Sequence, residues 1–325
     1  MKHERLTKAE RAKRFAFLKK LITVLTAASI VLFLAVFFTF VPFRLLLPAY
    51  SVPAREEGEL RLHFLGLAGG VTVVEFPDGE VLVVNAGDGS FESDNFLARY
   101  LRALDISSLS LLLTNASTKH IGGAASLYET FRITKTYLPA SPSEAGAYGR
   151  FVSAMEKEGC EQERLARYGR VVNGSGAYAV CLSPYSEEAE DVTADDESAV
   201  LYLSYAGVNV LLSGDITAKR ERVLLGEYSL DSGIFDSGEY GVRLDETDIL
   251  LASKHGADSG SSEEWLTLLQ PETTVICCNK DETPSGAALE RIAGCSGRVL
   301  RTDELGVIMI TIKDGGYQIL PHITE

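Results

Sequence analysis

Histidine is scarce in this chain: five occur in 325 residues, at positions 3, 63, 120, 255 and 322. Any site that needs four or more imidazoles in one place is therefore hard to build. Cysteine is equally thin, with five at 160, 181, 277, 278 and 295. None stands in C-x-x-C spacing, which excludes a zinc ribbon or a thioredoxin-type redox pair. No basic run follows Lys20, so a positively charged groove for nucleic acid is not expected. No internal repeat of fixed period is visible, and no G-x-x-x-G falls in the one long apolar run to suggest helix dimerisation.

That run is Leu21–Phe43, 23 residues without a charge. As a helix it would span roughly 34 Å, enough to cross a bilayer. The 20 residues before it hold eight Lys/Arg against two Glu, a net of +6. The positive-inside rule then predicts a cytoplasmic N-terminus and everything after about Pro48 on the far side. A cleaved signal peptide, with Val52-Pro53-Ala54 as the cleavage region, is the alternative, but signal-peptide cores run about 7–15 residues. The expected organisation is a basic tail over 1–20, a membrane helix over 21–47, a polar tether over 48–58 and a domain over 59–321. Removing the tail's +6 from the total of −14 leaves −20. So acidic a domain disfavours nucleic acid and anionic headgroups, and its partner is expected to be a surface or envelope component. Beyond the membrane disulfides are permitted. Cys160 with Cys181 is a candidate pair, Cys277-Cys278 read as buried thiols, and the odd count leaves at least one sulfur outside any intramolecular pair.

From residue 60 the pattern changes to short apolar strands. Leu60–Leu65, Val71–Phe76 and Val81–Val84 read as strands, the last two joined by the turn Pro77-Asp78-Gly79-Glu80. A helix over Phe91–Leu104, a strand over Leu109–Leu113, a helix over Ala124–Phe131, a strand over Thr134–Leu138 and a helix over Ser143–Glu158 follow. Gly169–Glu197 is turn-rich and acidic and reads as a solvated loop. A hairpin, Ala199–Ser204 with Val208–Leu212, opens the second half. Helices over Thr217–Leu225, Ser262–Leu269 and Ser285–Ile292 then alternate with strands Ile249–Ala252 and Thr273–Cys278, a strand near Val299 and one over Val307–Ile312. Strand meanders followed by alternating helices and strands, twice over, predict an α/β fold: two sheets packed face to face with helices outside, a four-layer αββα sandwich.

Several motifs occur in a fixed order. They are Phe64-Leu65 with Gly70, Pro77-Asp78-Gly79 with Val81–Val84 and Ala86-Gly87, Leu113-Thr114, His120-Ile121-Gly122-Gly123, and Ser198. Leu211-Leu212-Ser213-Gly214-Asp215-Ile216, His255-Gly256, Ser261-Ser262-Glu263-Glu264, Pro284-Ser285 and Leu300-Arg301-Thr302-Asp303 complete the series. In these the chain resembles the metallo-β-lactamase fold, and within it the soluble domain of ComEC-type competence proteins. The resemblance implies a hydrolase acting on phosphodiester bonds with two metal ions held by a His-x-His-x-Asp-His loop. Here Asn115, Ser117 and Lys119 stand in the first three of those positions and only His120 remains. Asn85 stands for a strand-end Asp, Gly66 for an early Asp, Lys254-His255-Gly256 for His-His-Gly, and Thr283-Pro284 for His-Pro.

At most His120, Asp215 and His255 are left to hold a metal, enough for one zinc or manganese with an open position. The leading expectation is therefore a membrane-anchored binding or scaffolding module with no resident metal and no metal-dependent catalysis. The alternative is a hydrolase with a reduced single-metal site. The new lysines suggest that Lys119 or Lys254 pairs with Asp215 in place of a metal's charge. More ordinary roles stay open: His120 capping the following helix, His255 in a structural hydrogen bond, Asp215 capping a helix. Ser253-Lys254 and Ser117 with Lys119 could also be drawn as Ser–Lys dyads.

Overall fold

The computed structural model describes residues 8–40, 52–184, 192–230, 235–236 and 241–323. It divides into two compact units, 1–49 and 50–325. The first contains one helix, α1 (Lys8–Phe40). Its segment Lys13–Phe33 is long and apolar enough to cross a membrane, and none of that segment is buried. The helix starts within the basic tail rather than at residue 21, because the Lys/Arg-rich stretch is as good a helix former as the apolar one. Residues 41–47 of the expected span lie outside the described residues.

In the second unit the chain begins with β1 (Leu60–Leu65), β2 (Val71–Glu75) and β3 (Val81–Val84), joined in antiparallel register. Then come α2 (Phe91–Ala103), β4 (Ser108–Leu112), the short helices α3 (Thr118–Ile121) and α4 (Ala124–Thr130), and β5 (Arg132–Leu138). Next are α5 (Gly146–Glu158), β6 (Glu161–Arg164), β7 (Arg170–Gly174), β8 (Ala177–Ser183), β9 (Val200–Tyr205) and β10 (Val208–Leu212). The second half runs through α6 (Ala218–Leu230), a small ribbon of β11 (Phe235–Asp236) and β12 (Gly241–Val242), β13 (Ile249–Leu251) and α7 (Glu263–Leu269). It closes with β14 (Thr273–Ile276), α8 (Gly286–Cys295), β15 (Arg298–Arg301), α9 (Thr302–Leu305), β16 (Val307–Lys313) and β17 (Gly316–Ile323).

Two large sheets result. One has the order β17-β16-β1-β2-β3-β4-β5-β6 and the other β15-β14-β13-β10-β9-β8-β7. Their facing sides form the main core, with Leu60, Leu62 and Phe64 of β1 meeting Leu201, Leu203, Val210 and Leu212. Trp265, Leu266 and Leu269 of α7 fill a second core with Val180, Leu182, Leu211 and Leu250, on the outer face of the seven-stranded sheet. Covered on both faces, the strands lose the alternation expected of a half-exposed sheet.

Gly169–Glu197 departs from the expected loop. Its first half is the antiparallel pair β7 and β8, turned through Asn173-Gly174-Ser175-Gly176. That N-G-S-G between apolar runs is a hairpin signal which the acidic residues downstream masked. Residues 185–191 lie outside the described residues, and 192–197 form the loop. All five thiols are free, Cys181 and Cys277 fully buried, so Cys160 and Cys181 are not paired.

Alternation survives inside β1 with an unexpected result. Arg61 and His63 point away from the sandwich core but are buried. His63 lies under Tyr100 of α2, whose hydroxyl donates to Nδ1 at 2.8 Å, while Nε2 donates to Glu75 at 2.8 Å. That arrangement is the one a neutral imidazole makes, and the full burial of the ring favours the neutral form. Burial pushes the His63 pKa down against the opposing pull of Glu75. The Glu75 carboxyl, raised by burial, is held below its ordinary value by the His63 hydrogen bond and nearby Arg61. Unfolding lets both groups take up protons at their ordinary values, so both favour the folded state at neutral pH and lose that contribution in acid. Stability falls from about pH 6.5 downward by up to about 1.4 kcal/mol per pH unit from His63. Urea midpoints of His63→Gln, which keeps a donor and an acceptor, should show less of this slope between pH 7 and 5. An identical slope in both proteins would refute it.

Candidate functional site

Strands β3, β4, β10 and β13 are neighbours in parallel pairs, β3 with β4 and β10 with β13. Their carboxyl ends open on the same side of each pair, where α/β sheets place their ligand loops. Asn85 follows β3, Thr114–His120 follow β4, Asp215 follows β10 and His255 follows β13.

His120, Asp215 and His255 meet. His120 Nε2 lies 2.7 Å from Asp215 Oδ2, and His255 Nε2 lies 3.1 Å from Oδ1. The two imidazole centroids are 6.0 Å apart, nearly parallel. His120 and Asp215 are buried and His255 is partly so. A cavity of about 20 Å³ beside them is lined also by Gly70, Asn85 and Thr114; it has room for about one water. Burial pushes the Asp215 carboxyl up, but the charge and hydrogen bond of His120, joined by His255, hold it well below the usual carboxylate range. Burial pushes His255 down, and the bond and charge of Asp215 more than reverse this, raising it above an ordinary imidazole.

The lysines do not take part. Lys119 pairs with Glu282, and Lys254 Nζ lies 2.6 Å from Asp195. The proposed lysine–Asp215 pair is therefore replaced by a histidine clamp on both carboxylate oxygens. The reason is local. Lys254 and His255 both adopt left-handed backbone (φ 49° and 54°), followed by Gly256 at 75°. That turn sends the lysine outward and the imidazole inward, at a strain cost of about 1–3 kcal/mol for each non-glycine residue. The Ser–Lys dyads fail in the same way: Ser253 is buried and donates to Glu221 Oε1 at 2.7 Å. Nor does Asp215 cap α6; Asp196 Oδ1 accepts from Thr217 N and Oγ1 there. His120 lies within α3, whose N-cap position is Ser117.

The remaining family positions serve as fasteners or face solvent. Asn85, itself at φ 65°, accepts from Thr114 N and Oγ1 at 3.0 and 2.9 Å and donates to the carbonyls of Gly69 and Gly70. An aspartate could not make the last two bonds. Asn115 donates to Ser198 Oγ at 2.8 Å and accepts from Ser117 N. Thr283 is exposed. Gly66 lies against Cys278 O and Thr302, where a side chain has no room. In the His-Ile-Gly-Gly motif, a Cβ on Gly122 would lie 2.1 Å from the Asp88 carbonyl and one on Gly123 2.3 Å from Ala86 O. The motif's glycines exist so that the loop after β3 can lie on the start of α4.

Sequence reasoning missed Glu221. This fully buried carboxylate on α6 accepts from Ser253 Oγ, Ser261 N and Ser262 N at 2.7, 2.7 and 2.8 Å. It fixes the loop that carries His255. Nothing in its own surroundings in the sequence marks it, because its partners lie 32 to 41 residues away.

The donor set does not fit two metal ions, since among the described residues three ligands are all that converge. It fits one in part. His255 Nδ1 lies 2.8 Å from the Cys277 carbonyl, the outer bond that orients a ligating imidazole. Its Nε2 and Asp215 Oδ1 lie 3.1 Å apart in ion-pair contact without hydrogen-bond alignment, and neither has another hydrogen-bond partner among the described residues. On the other side His120 Nδ1 is buried with no partner, so that ligand lacks the corresponding support. Gly70 presses on the same place: a Cβ there would lie 3.0 Å from His255 Cε1, and its φ is 56°. Gly70→Ala should cost about 1–2 kcal/mol, read as a lowered thermal midpoint.

No protein-family model matches the chain. ComE operon protein 3 of Bacillus subtilis (strain 168) is 25% identical over 286 residues, covering 82% of this chain and 35% of that protein. The chain spans about a third or less of the length of the curated relatives it matches. Among solved structures, the CmlA β-hydroxylase E377D mutant aligns with a TM-score of 0.50 at 12% identity, covering 81% of this chain and 55% of that one. The metallo-β-lactamase fold protein YhfI of Bacillus subtilis aligns at 0.48 and 10% identity, over 81% of this chain and all of that one.

Proposed function

Starting from a chain with the metallo-β-lactamase fold and ComEC-type relatives, we propose a membrane-anchored, extracytoplasmic binding or scaffolding module in which the two-metal hydrolytic site has become a structural clamp. The observation that carries this reading is the closure of His120 and His255 on Asp215 beside a cavity of about 20 Å³. The outward lysines and the use of Asn85 and Asn115 as loop fasteners support it. The basic tail and the apolar helix α1 support an anchor with the N-terminus in the cytoplasm. The overall negative charge disfavours nucleic acid as partner.

A second reading keeps one metal. The contact of His255 Nε2 with Asp215 Oδ1, close but not aligned as a hydrogen bond, favours it, with His120, Asp215 and His255 as the ligands. A bound zinc or manganese ion would supply Lewis-acid activation of water for hydrolysis. Elemental analysis decides between them. Full-length protein purified with zinc and manganese available should carry well below one equivalent of either. Near-stoichiometric metal that disappears in His120→Ala overturns the clamp reading.

A further inference from the structure

Beside the clamp lies a second cavity, of about 160 Å³, between three loops: Asn115–Ser117 after β4, Pro139–Ser143 after β5, and the stretch before β9 that holds Glu197. It holds about five waters by volume. The geometry points to a binding pocket for one sugar ring bearing adjacent hydroxyls, on the ligand side of the fold. The inference rests on the binding-module reading and names the ligand class it would serve.

The lining supplies the argument. Ser117 sits at an N-cap position yet makes no cap hydrogen bond through its side chain. Ser141 and Glu197 are half-buried, and their side chains make no hydrogen bond among the described residues. Ser143 Oγ already accepts from Ala145 N, so its proton is free to be donated. Three serines and one glutamate thus line a small, otherwise largely apolar space and keep unused bonding capacity. A carboxylate accepts two hydroxyl protons at once, the pattern offered by a vicinal diol, while serine hydroxyls both donate and accept. Pro139 and Pro142 add apolar wall for the C–H faces of a ring.

Charge narrows the ligand further. No Lys, Arg or His lines the cavity, and the nearby Lys119 and Lys254 are paired with Glu282 and Asp195. A phosphate, sulfate or carboxylate would meet Glu197 with no cation to offset it. An amine would satisfy Glu197 but leave most of the hydroxyl wall unused.

The test uses full-length protein in a detergent without a sugar headgroup, titrated with methyl glycosides by saturation-transfer NMR. Inorganic phosphate and butylamine serve as the contrasting probes. A pyranoside with adjacent free hydroxyls should bind saturably. Glu197→Gln should weaken it about tenfold or more, and Ser117→Ala about threefold, with the circular dichroism of both variants unchanged. Absence of saturable binding by any glycoside overturns the inference. So do equal or tighter binding of butylamine, competition by phosphate, or indifference to Glu197→Gln. The binding-module reading fails by a different readout, stoichiometric metal at Asp215, which leaves these titrations unchanged.

Discussion

Asp215→Ala lowers the unfolding free energy by about 3–5 kcal/mol, the cost of breaking a buried charge pair by removing one member. The substitution takes the carboxylate away from the Nε2 atoms of His120 and His255 and removes an acceptor of Asn115. It also opens space in a region already packed around a water-sized cavity. Asp215→Asn, which preserves shape and some hydrogen bonding, should lose about half as much. Urea denaturation of the two variants beside the parent measures this. A neutral result for Asp215→Ala would mean that the carboxylate does not hold the β4, β10 and β13 loops together.

The second large effect is expected at Glu221. Glu221→Ala strands the buried hydroxyl of Ser253 and the N–H groups of Ser261 and Ser262, each of which now donates to a charged acceptor. Hydrogen bonds to ionised groups contribute about 1.5–3 kcal/mol apiece. Allowing for water entering the gap, a loss of about 4 kcal/mol follows. Glu221→Gln keeps the volume but replaces an acceptor by a donor facing donors, so it should lose nearly as much. If Glu221→Gln matched the parent in urea midpoint, the carboxylate's charge would be irrelevant to the loop.

The fold was legible because its strands are closed off by recognisable turns. Pro77-Asp78-Gly79 and Ala206-Gly207 mark hairpins that the structure contains. The strands that escaped notice are of other kinds. β6 is Glu-Gln-Glu-Arg, largely exposed at a sheet edge, and its hydrogen bonds to β5 leave no hydrophobic pattern to read. β17 follows the turn Asp314-Gly315 and lies almost wholly inside the expected domain of 59–321. At the site, the identities of His120, Asp215 and His255 were readable and their partners were not. Sequence order places Lys254 and His255 side by side, but consecutive left-handed residues send adjacent side chains in divergent directions.

The position of β1 bears on how the domain forms. It pairs with β2 on one side and with β16 on the other, Leu60 lying against Ile312. The last contact joins residues some 250 apart, so the eight-stranded sheet cannot be completed until nearly the whole unit has been synthesised. Such distant pairing makes folding slow. Until β16 arrives, β1 presents an open edge flanked by Leu60, Leu62 and Phe64, a template for pairing with another chain. The interval between emergence of β1 and docking of β16 is therefore the window in which this protein is most prone to aggregate.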